Sequence, residues 1–376
     1  MRSFFYDIIT VFLHLLPIQK NKIFFLGYYG AQYGCNPKYL SDYIVENCKD
    51  WDVVWGFTMP ENHNIAGVRK VKYLSVRYFY ELYTSKVFVT NYRMPEYYRK
   101  RKEQLYVQTW HSSLRLKKVE GDVESDLPDH YAKMAKKDSA QTDVLLSGCQ
   151  FSTATFKRAF WYSGEIAQTG TPRCDLLFSS NNILRENIKK NIGISPEQKI
   201  ILYAPTFRKD YSLKHYDIDY KRLVASLAAK FGGEWVVLLR LHPHLTDYST
   251  KLIVNYPELR DVTKYDDIQE LLFISDIVIS DYSGLIFDFA LTARPCFLYA
   301  SDLDEYVKND RSLYFRLEDL PFPISQNNEE LNLIIQNFDA SKYQQKVSSF
   351  MQAVGSFETG HSCENVVNYI SERIQS

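Results

Sequence analysis

The sequence predicts an α/β protein of two doubly wound, Rossmann-type domains facing a cleft, and three features carry that expectation. Short β-rich runs alternate with helical patterns along the whole chain, as in a parallel sheet covered by helices on both faces. The length, 376 residues, suits two or three domains. A polar stretch from Ser179 to Gln198 separates a first series of strands and helices from a second. The expected division is a first domain over residues 1–190 and a second over 191–376.

The first series opens with Lys22–Leu26, an apolar strand that stops at Gly27, and a helix over Pro37–Cys48. Strands follow at Trp51–Phe57, Lys86–Thr90, Leu105–Trp110 and Asp143–Leu146, with helices at Val76–Thr84, Tyr131–Asp138 and Phe151–Tyr162. The second series has strands at Ile200–Tyr203, Trp235–Leu241, Ile277–Ser280 and Cys296–Tyr299, with helices between them. Three more helices close the chain, the last near Cys363–Ile374.

Composition narrows the function classes. A hydrophobic fraction of 45% and a charged fraction of 24% allow a large core and argue against disorder. Lys+Arg and Asp+Glu number 45 each, so overall charge gives no case for a nucleic-acid partner. The six cysteines lie far apart without a CxxC pair, which removes zinc and redox spacing and leaves free thiols of a reducing cytosol. The apolar start, Met1–Pro17, contains Asp7 and His14 and falls short of the ~20 residues that span a bilayer. It reads as an amphipathic helix resting on a membrane or on its own domain. The stretch Arg93–Lys102 mixes cations with tyrosines and suits either an anionic lipid surface or a solvated basic loop.

In doubly wound sheets, ligands bind beyond the carboxyl ends of the strands, and four strand ends carry polar clusters. At Gln108–Lys118, His111 directly follows an apolar strand, where it can serve as a general base or as a capping histidine. Ser112 and Ser113 there could bind phosphate, with Arg115, Lys117 and Lys118 adding charge. At Tyr203–Lys209, Pro205 stops a strand before Thr206, Arg208 and Lys209, an anion-binding composition. At Arg240–His244, strand alternation puts Arg240 and His242 on one face. At Ile279–Ala290 a strand turns into a helix, with Asp281 or Ser283 as N-cap and Gly284 permitting close backbone approach to a pyrophosphate. Asp288, farther along that helix, faces solvent or pairs with Arg294 on this reading.

These clusters, in this order, resemble the CDP-glycerol glycerophosphotransferase family, whose members prime and polymerise wall teichoic acids and build related capsules. Trp110–Ser113 resembles its His-Gly-Thr/Ser motif, Tyr203–Arg208 its Tyr-Ala-Pro-Thr-aromatic-Arg segment, and Arg240–Pro243 its Arg-x-His-Pro. Asp281–Phe289 is similar to its Asp-Tyr-Ser-Ser and Phe-Asp-Phe pair, and Gly170–Asp175 to its Gly-x-Pro-Arg-x-Asp turn. Ala300–Tyr306 resembles the segment after the family's last strand, and within it Asp302 and Asp304 read as loop residues. The chain departs from the pattern at Ser112, where glycine is usual, at Leu114–Arg115, where a proline-containing stretch is usual, and at Gly284, where serine is usual.

The resemblance implies a GT-B architecture and a metal-independent single displacement. An acceptor hydroxyl attacks the β-phosphorus of CDP-glycerol or another CDP-polyol, and CMP leaves. It assigns His111 as base and His242 as diphosphate ligand or acid, with Ser112, Ser113, Thr206, Arg208, Arg240, Asp281, Ser283 and Gly284 at the donor phosphates. It implies a lipid-linked or polymeric glycan acceptor and no cofactor; the apolar start together with the Arg93–Lys102 stretch points to a peripheral place on the cytoplasmic face of the membrane. A GT-B glycosyltransferase using a nucleotide sugar, and a catalytically silent polymer-binding homologue, remain alternatives that the released product distinguishes.

Overall fold

The computed structural model describes residues 10–208, 213–309 and 312–375. Most of the apolar N-terminal segment and Lys209 lie outside the described residues.

The first sheet is made of β1 (Gln19–Leu26), β2 (Asp52–Phe57), β3 (Arg69–Lys72), β4 (Ser85–Thr90), β5 (Leu105–Gln108), β6 (Val144–Leu146) and β7 (Glu165–Ala167). All pair in parallel, in the order β3-β2-β1-β4-β5-β6-β7. The run Ile23–Leu26 and the whole of β5 are buried on both faces, which is why they read as continuous apolar runs. The second sheet is made of β8 (Lys199–Tyr203), β9 (Trp235–Leu239), β10 (Leu259–Asp261), β11 (Ile277–Ser280), β12 (Cys296–Tyr299) and β13 (Ile324–Ser325). It is parallel too, in the order β10-β9-β8-β11-β12-β13. In each sheet the winding direction reverses once, between β1 and β4 and between β8 and β11. In doubly wound sheets ligands bind at the carboxyl end beside such a reversal.

The division between units differs from the expected break near residue 190. One unit holds the described residues up to Ser113, Val119–Asp175 and those from Ser356 onward; the other holds Leu114–Lys118 and Leu176–Gly355. The last helix, Ser362–Gln375, therefore belongs with the first sheet, where Val366, Val367 and Ile370 join Leu40 and Ile44 in the core. Asp175 fixes that return by accepting hydrogen bonds from Ser362 N (2.8 Å) and Cys363 N (2.7 Å). The segment Leu114–Lys118 joins the second unit through Lys118 N to Ser312 O (2.9 Å) and Tyr314 N to Leu116 O (2.7 Å).

Buried charge is paired. Lys22 and Glu81, both fully buried, meet at 2.7 Å, and Arg93 is held by Glu120 and Asp138. The basic stretch is thus partly structural. Lys100 pairs with Asp143 at 2.7 Å and Arg101 donates to the carbonyls of Leu16 and Tyr83, leaving Arg99 and Lys102 exposed. Among the described residues no helix is long and apolar enough to cross a membrane.

Candidate active site

In the first unit the site grows from the end of β5. The strand stops at Gln108, and the chain turns at Trp110, whose φ of 51° lies in the left-handed region. For a bulky residue that conformation costs of order 1–3 kcal/mol and needs outside support. Support comes from Gln108 Oε1, which accepts from Trp110 N (3.0 Å), and from Thr109 Oγ1 and Asn36 Nδ2, which donate to Trp110 O (2.9 and 3.0 Å).

His111 follows, half-buried, with its ring stacked on Trp110 (4.4 Å between centroids) and Tyr92 (5.3 Å). Its Nδ1 lies 3.3 Å from the carbonyl oxygen of Asn91, at the end of β4. Asn91, fully buried, also accepts from Tyr28 N (3.0 Å) at the end of β1. Tyr28 and Tyr29 pack on Tyr92 at 5.2 and 5.1 Å. His111 therefore stands by the reversal point of the first sheet, walled by aromatic rings. Sequence reasoning missed Tyr28, Tyr29, Asn91 and Tyr92, although their position just past two apolar strands was a usable signal.

Ser112 is half-buried beside the histidine. Ser113 is buried, and its hydroxyl turns toward Gly148, where a side chain would collide with Ser113 Oγ, Glu358 Oε1 and Thr171 Oγ1. Glu358 Oε2 accepts from Thr171 N at 2.9 Å, so the C-terminal return reaches this strand end.

In the second unit the site forms at the reversal between β8 and β11. Thr206 N and Tyr282 N both donate to Asp281 Oδ1, at 2.8 and 2.6 Å, which joins the two strand ends. Arg208, expected at the phosphates, is a buried strut. Its Nε donates to Asp302 (2.6 Å), its Nη2 to Asp281 (2.9 Å) and Asp302 (3.0 Å), and its Nη1 to Thr206 O. The guanidinium lies 4.9 and 5.0 Å from the rings of Tyr282 and Tyr306, which stack on each other at 3.7 Å. Tyr282 Oη also donates to Asp302 (2.9 Å). Burial alone would raise the Asp302 carboxyl, but the hydrogen bond and charge of Arg208 hold it below its ordinary value. Asp302 is thus no plain loop residue: a buried arginine needs carboxylates, and this one stands directly past β12. Lys117 brings a further cation to the same place, 5.6 Å from the Tyr306 ring.

Other assignments shift. Asp281 is not an N-cap; Gly284 occupies that position for the helix Leu285–Ala290, without a side-chain cap. Gly284 has an ordinary φ of −65°, and an added Cβ would meet only Leu114 O at 3.7 Å, so the protein itself does not require glycine there. Ser283 and Gly284 are half-exposed at the start of that helix. Asp288 is buried and accepts from Gln269 (2.7 Å), while Arg294 donates to the carbonyls of Phe273 and Leu272. Thr206 Oγ1 is buried and has no hydrogen-bond partner among the described residues.

β9 ends at Leu239, so Arg240 and His242 lie past the strand rather than on one of its faces. Arg240 reaches the carbonyls of Val262 and Tyr265. His242 is exposed, with its ring 4.7 Å from Phe207 and its Nδ1 accepting from His244 N (3.3 Å). Partial desolvation of the ring first, and then the neighbouring His244, lower its pKa. Among the described residues no group of His, Cys, Asp and Glu is placed to hold a metal ion.

A family model described as CDP-Glycerol:Poly(glycerophosphate) glycerophosphotransferase matches residues 8–372. The chain belongs to this family. It is 33% identical to the teichoic acid poly(glycerol phosphate) polymerase of Bacillus spizizenii, over 96% of this chain and 95% of that protein. It is 32% identical to the teichoic acid glycerol-phosphate transferase of Staphylococcus aureus, over 97% of each. The wall teichoic acid polymerase TagF, in a variant soaked with CDPG, superposes with a TM-score of 0.86 at 29% identity, covering 99% of this chain and 93% of that one. A putative UDP-N-acetylglucosamine 2-epimerase from Listeria monocytogenes shares the fold alone, with a TM-score of 0.57 at 11% identity. The family member described here is a glycerophosphotransferase with a GT-B-like, two-domain fold.

Proposed function

We propose that this protein transfers glycerol phosphate from CDP-glycerol to the end of a glycerol-phosphate polymer and releases CMP, with His111 as general base and His242 as a donor-phosphate ligand. The observation that carries this division of roles is the opposite hydrogen bonding of the two Nδ1 atoms. A carbonyl only accepts, so beside Asn91 O the Nδ1 of His111 bears the proton and Nε2 keeps its lone pair. That is the tautomer of a base. An amide only donates, so beside His244 N the neutral His242 ring bears its proton on Nε2, ready to donate to a phosphate oxygen. The lowered pKa of His242 keeps it in that neutral form near pH 7.

In this reading the acceptor hydroxyl gives its proton to His111 Nε2 as its oxygen bonds to the β-phosphorus. The bridging P–O bond breaks and its electron pair leaves with CMP. Charge on the transferred phosphoryl group calls for fixed donors rather than covalent help. In this reading Thr206 Oγ1, Ser283, the amide of Gly284 and Lys117, all in the second unit, supply them. Arg208, Asp281 and Asp302 act one step back, by holding the Thr206 loop. The reading includes no resident metal, so turnover should persist in excess chelator.

It also places the acceptor at an anionic membrane surface. Supporting this, helical residues 10–14 pack Leu13 and His14 on the first unit, while Val11, Phe12 and nearby Leu15 remain exposed.

The test uses purified protein, CDP-glycerol and a defined glycerol-phosphate oligomer, following CMP and chain length together. His111→Ala should lower turnover ~10²–10⁴-fold with unchanged donor affinity. His242→Ala should lower both. Release of a nucleoside diphosphate in place of CMP would replace this reading with glycosyl transfer. Normal turnover by His111→Ala at saturating acceptor would remove His111 as the base.

A further inference from the structure

The direction in which His111 points is set by the Trp110 turn, and that turn is held from another part of the chain. We propose that Asn36 is a positioning residue for His111, acting through the Trp110 peptide; this rests on reading His111 as the base.

Asn36 sits fully buried in the first turn of the helix Cys35–Asn47. Its Nδ2 donates to Thr109 O (3.2 Å) and Trp110 O (3.0 Å), and its Oδ1 accepts from Arg173 N (3.1 Å). One carboxamide thus joins the end of β5 to the turn Gly170–Asp175. Gln108 and Thr109 also hold Trp110, but they belong to the same segment and move with it. Asn36 is anchored independently by its helix. The far side of the clamp is firm as well, because Glu358 accepts from Thr171 N and Asp175 caps the last helix.

The chemistry requires an amide. A carboxylate would set acceptor against two carbonyl oxygens, and an apolar side chain would leave Arg173 N and both carbonyls without this partner. Without the clamp the left-handed Trp110 relaxes toward extended backbone. His111 then leaves the Asn91 carbonyl and its stack on Tyr92.

Two variants of the full chain test this, Asn36→Asp and the milder Asn36→Ser, which keeps one donor. With saturating donor and acceptor, Asn36→Asp should lower kcat about 10²-fold, the usual effect of a misplaced catalytic group, and Asn36→Ser less. The donor dissociation constant should not change. Loss of the Asn91 acceptor removes a bond that favours imidazolium, so the acidic limb of the kcat profile should move to lower pH. Imidazole ¹⁵N spectra report the same event without turnover: His111 should be protonated at Nδ1 in the parent protein and mixed in the variants. Ser41→Ala, on the same helix, removes the acceptor of Trp55 Nε1 (2.9 Å) and serves as the purely structural control. It should lose stability while keeping kcat, pH profile and spectrum. Variants at Asn36 that behave like Ser41→Ala, less stable but with the His111 signals and the acidic limb unmoved, would overturn the proposal. Because the spectra do not depend on catalysis, a failed assignment of His111 as base would leave this test intact.

Discussion

Replacing Arg208 with methionine separates two roles that the same residue could play. In the structure its guanidinium is buried and makes three hydrogen bonds to Asp281 and Asp302, with a fourth to Thr206 O. Methionine fills much of the volume but leaves two buried carboxylates with no cation between them. Breaking such a network by removing one partner costs about 3–5 kcal/mol. For a unit of this size each kcal/mol shifts Tm by roughly 2–4 °C, so a loss of about 6–20 °C is expected at pH 7. The pH dependence should reverse sign. In the parent protein Asp302 is held below its ordinary pKa, so its contribution is complete above about 3.9 and is lost as the pH falls. In the variant the facing carboxylates must take up a proton on folding, which raises a folded-state pKa. Stability is then present at low pH and lost as the pH rises. Calorimetry of the full chain between pH 4 and pH 8, with and without CDP-glycerol, reads both quantities. A variant that keeps its Tm at pH 7 but no longer binds CDP-glycerol would refute the strut and return Arg208 to the phosphates.

Two further outcomes follow from the first unit. Glu81 is raised by burial but brought down to about 2 by hydrogen bonds and charge from Arg69 and Lys22. Against an ordinary carboxylate this contributes about 3 kcal/mol, present above the unfolded-state value and lost as the pH falls toward 2. Glu81→Gln should therefore destabilise strongly at pH 7 and only about half as much at pH 3 by urea unfolding; an equal loss at both would show that the pair carries no net charge stabilisation. At the N-terminus, Phe12→Asp with Leu15→Asp should abolish co-sedimentation with anionic vesicles, whereas Arg101→Gln should act through stability, since that side chain donates to Leu16 O and Tyr83 O. Vesicle binding that survives the double substitution would remove the membrane reading.

Strands buried on both faces were legible as apolar runs, and so were the helices between them, because a doubly wound sheet writes its pattern locally. The missed strands β3, β7, β10 and β13 are short and include both edges of each sheet. An edge strand is covered less completely, so Arg69–Lys72 or Leu259–Asp261 carries no apolar signature. Both histidines could be singled out because each follows an apolar strand, and sheet topology makes strand ends the place for ligands.

What the sequence by itself determined is this inventory: which residue types stand past which strands, and the family their order resembles. Which of them are already engaged within the fold was decided by tertiary contacts. Arg208 and Arg240 look alike as strand-end cations, but two distant aspartates bury the first and the carbonyls of Val262 and Tyr265 receive the second. The tautomers of His111 and His242 depend on Asn91 O and His244 N, one of them twenty residues away. The last helix shows an apolar face in the sequence but not the sheet that face covers; Asp175 and the core around Leu40 settle that. Local pattern reports what a residue can do, and only packing from far along the chain determines which of its hydrogen bonds are already taken.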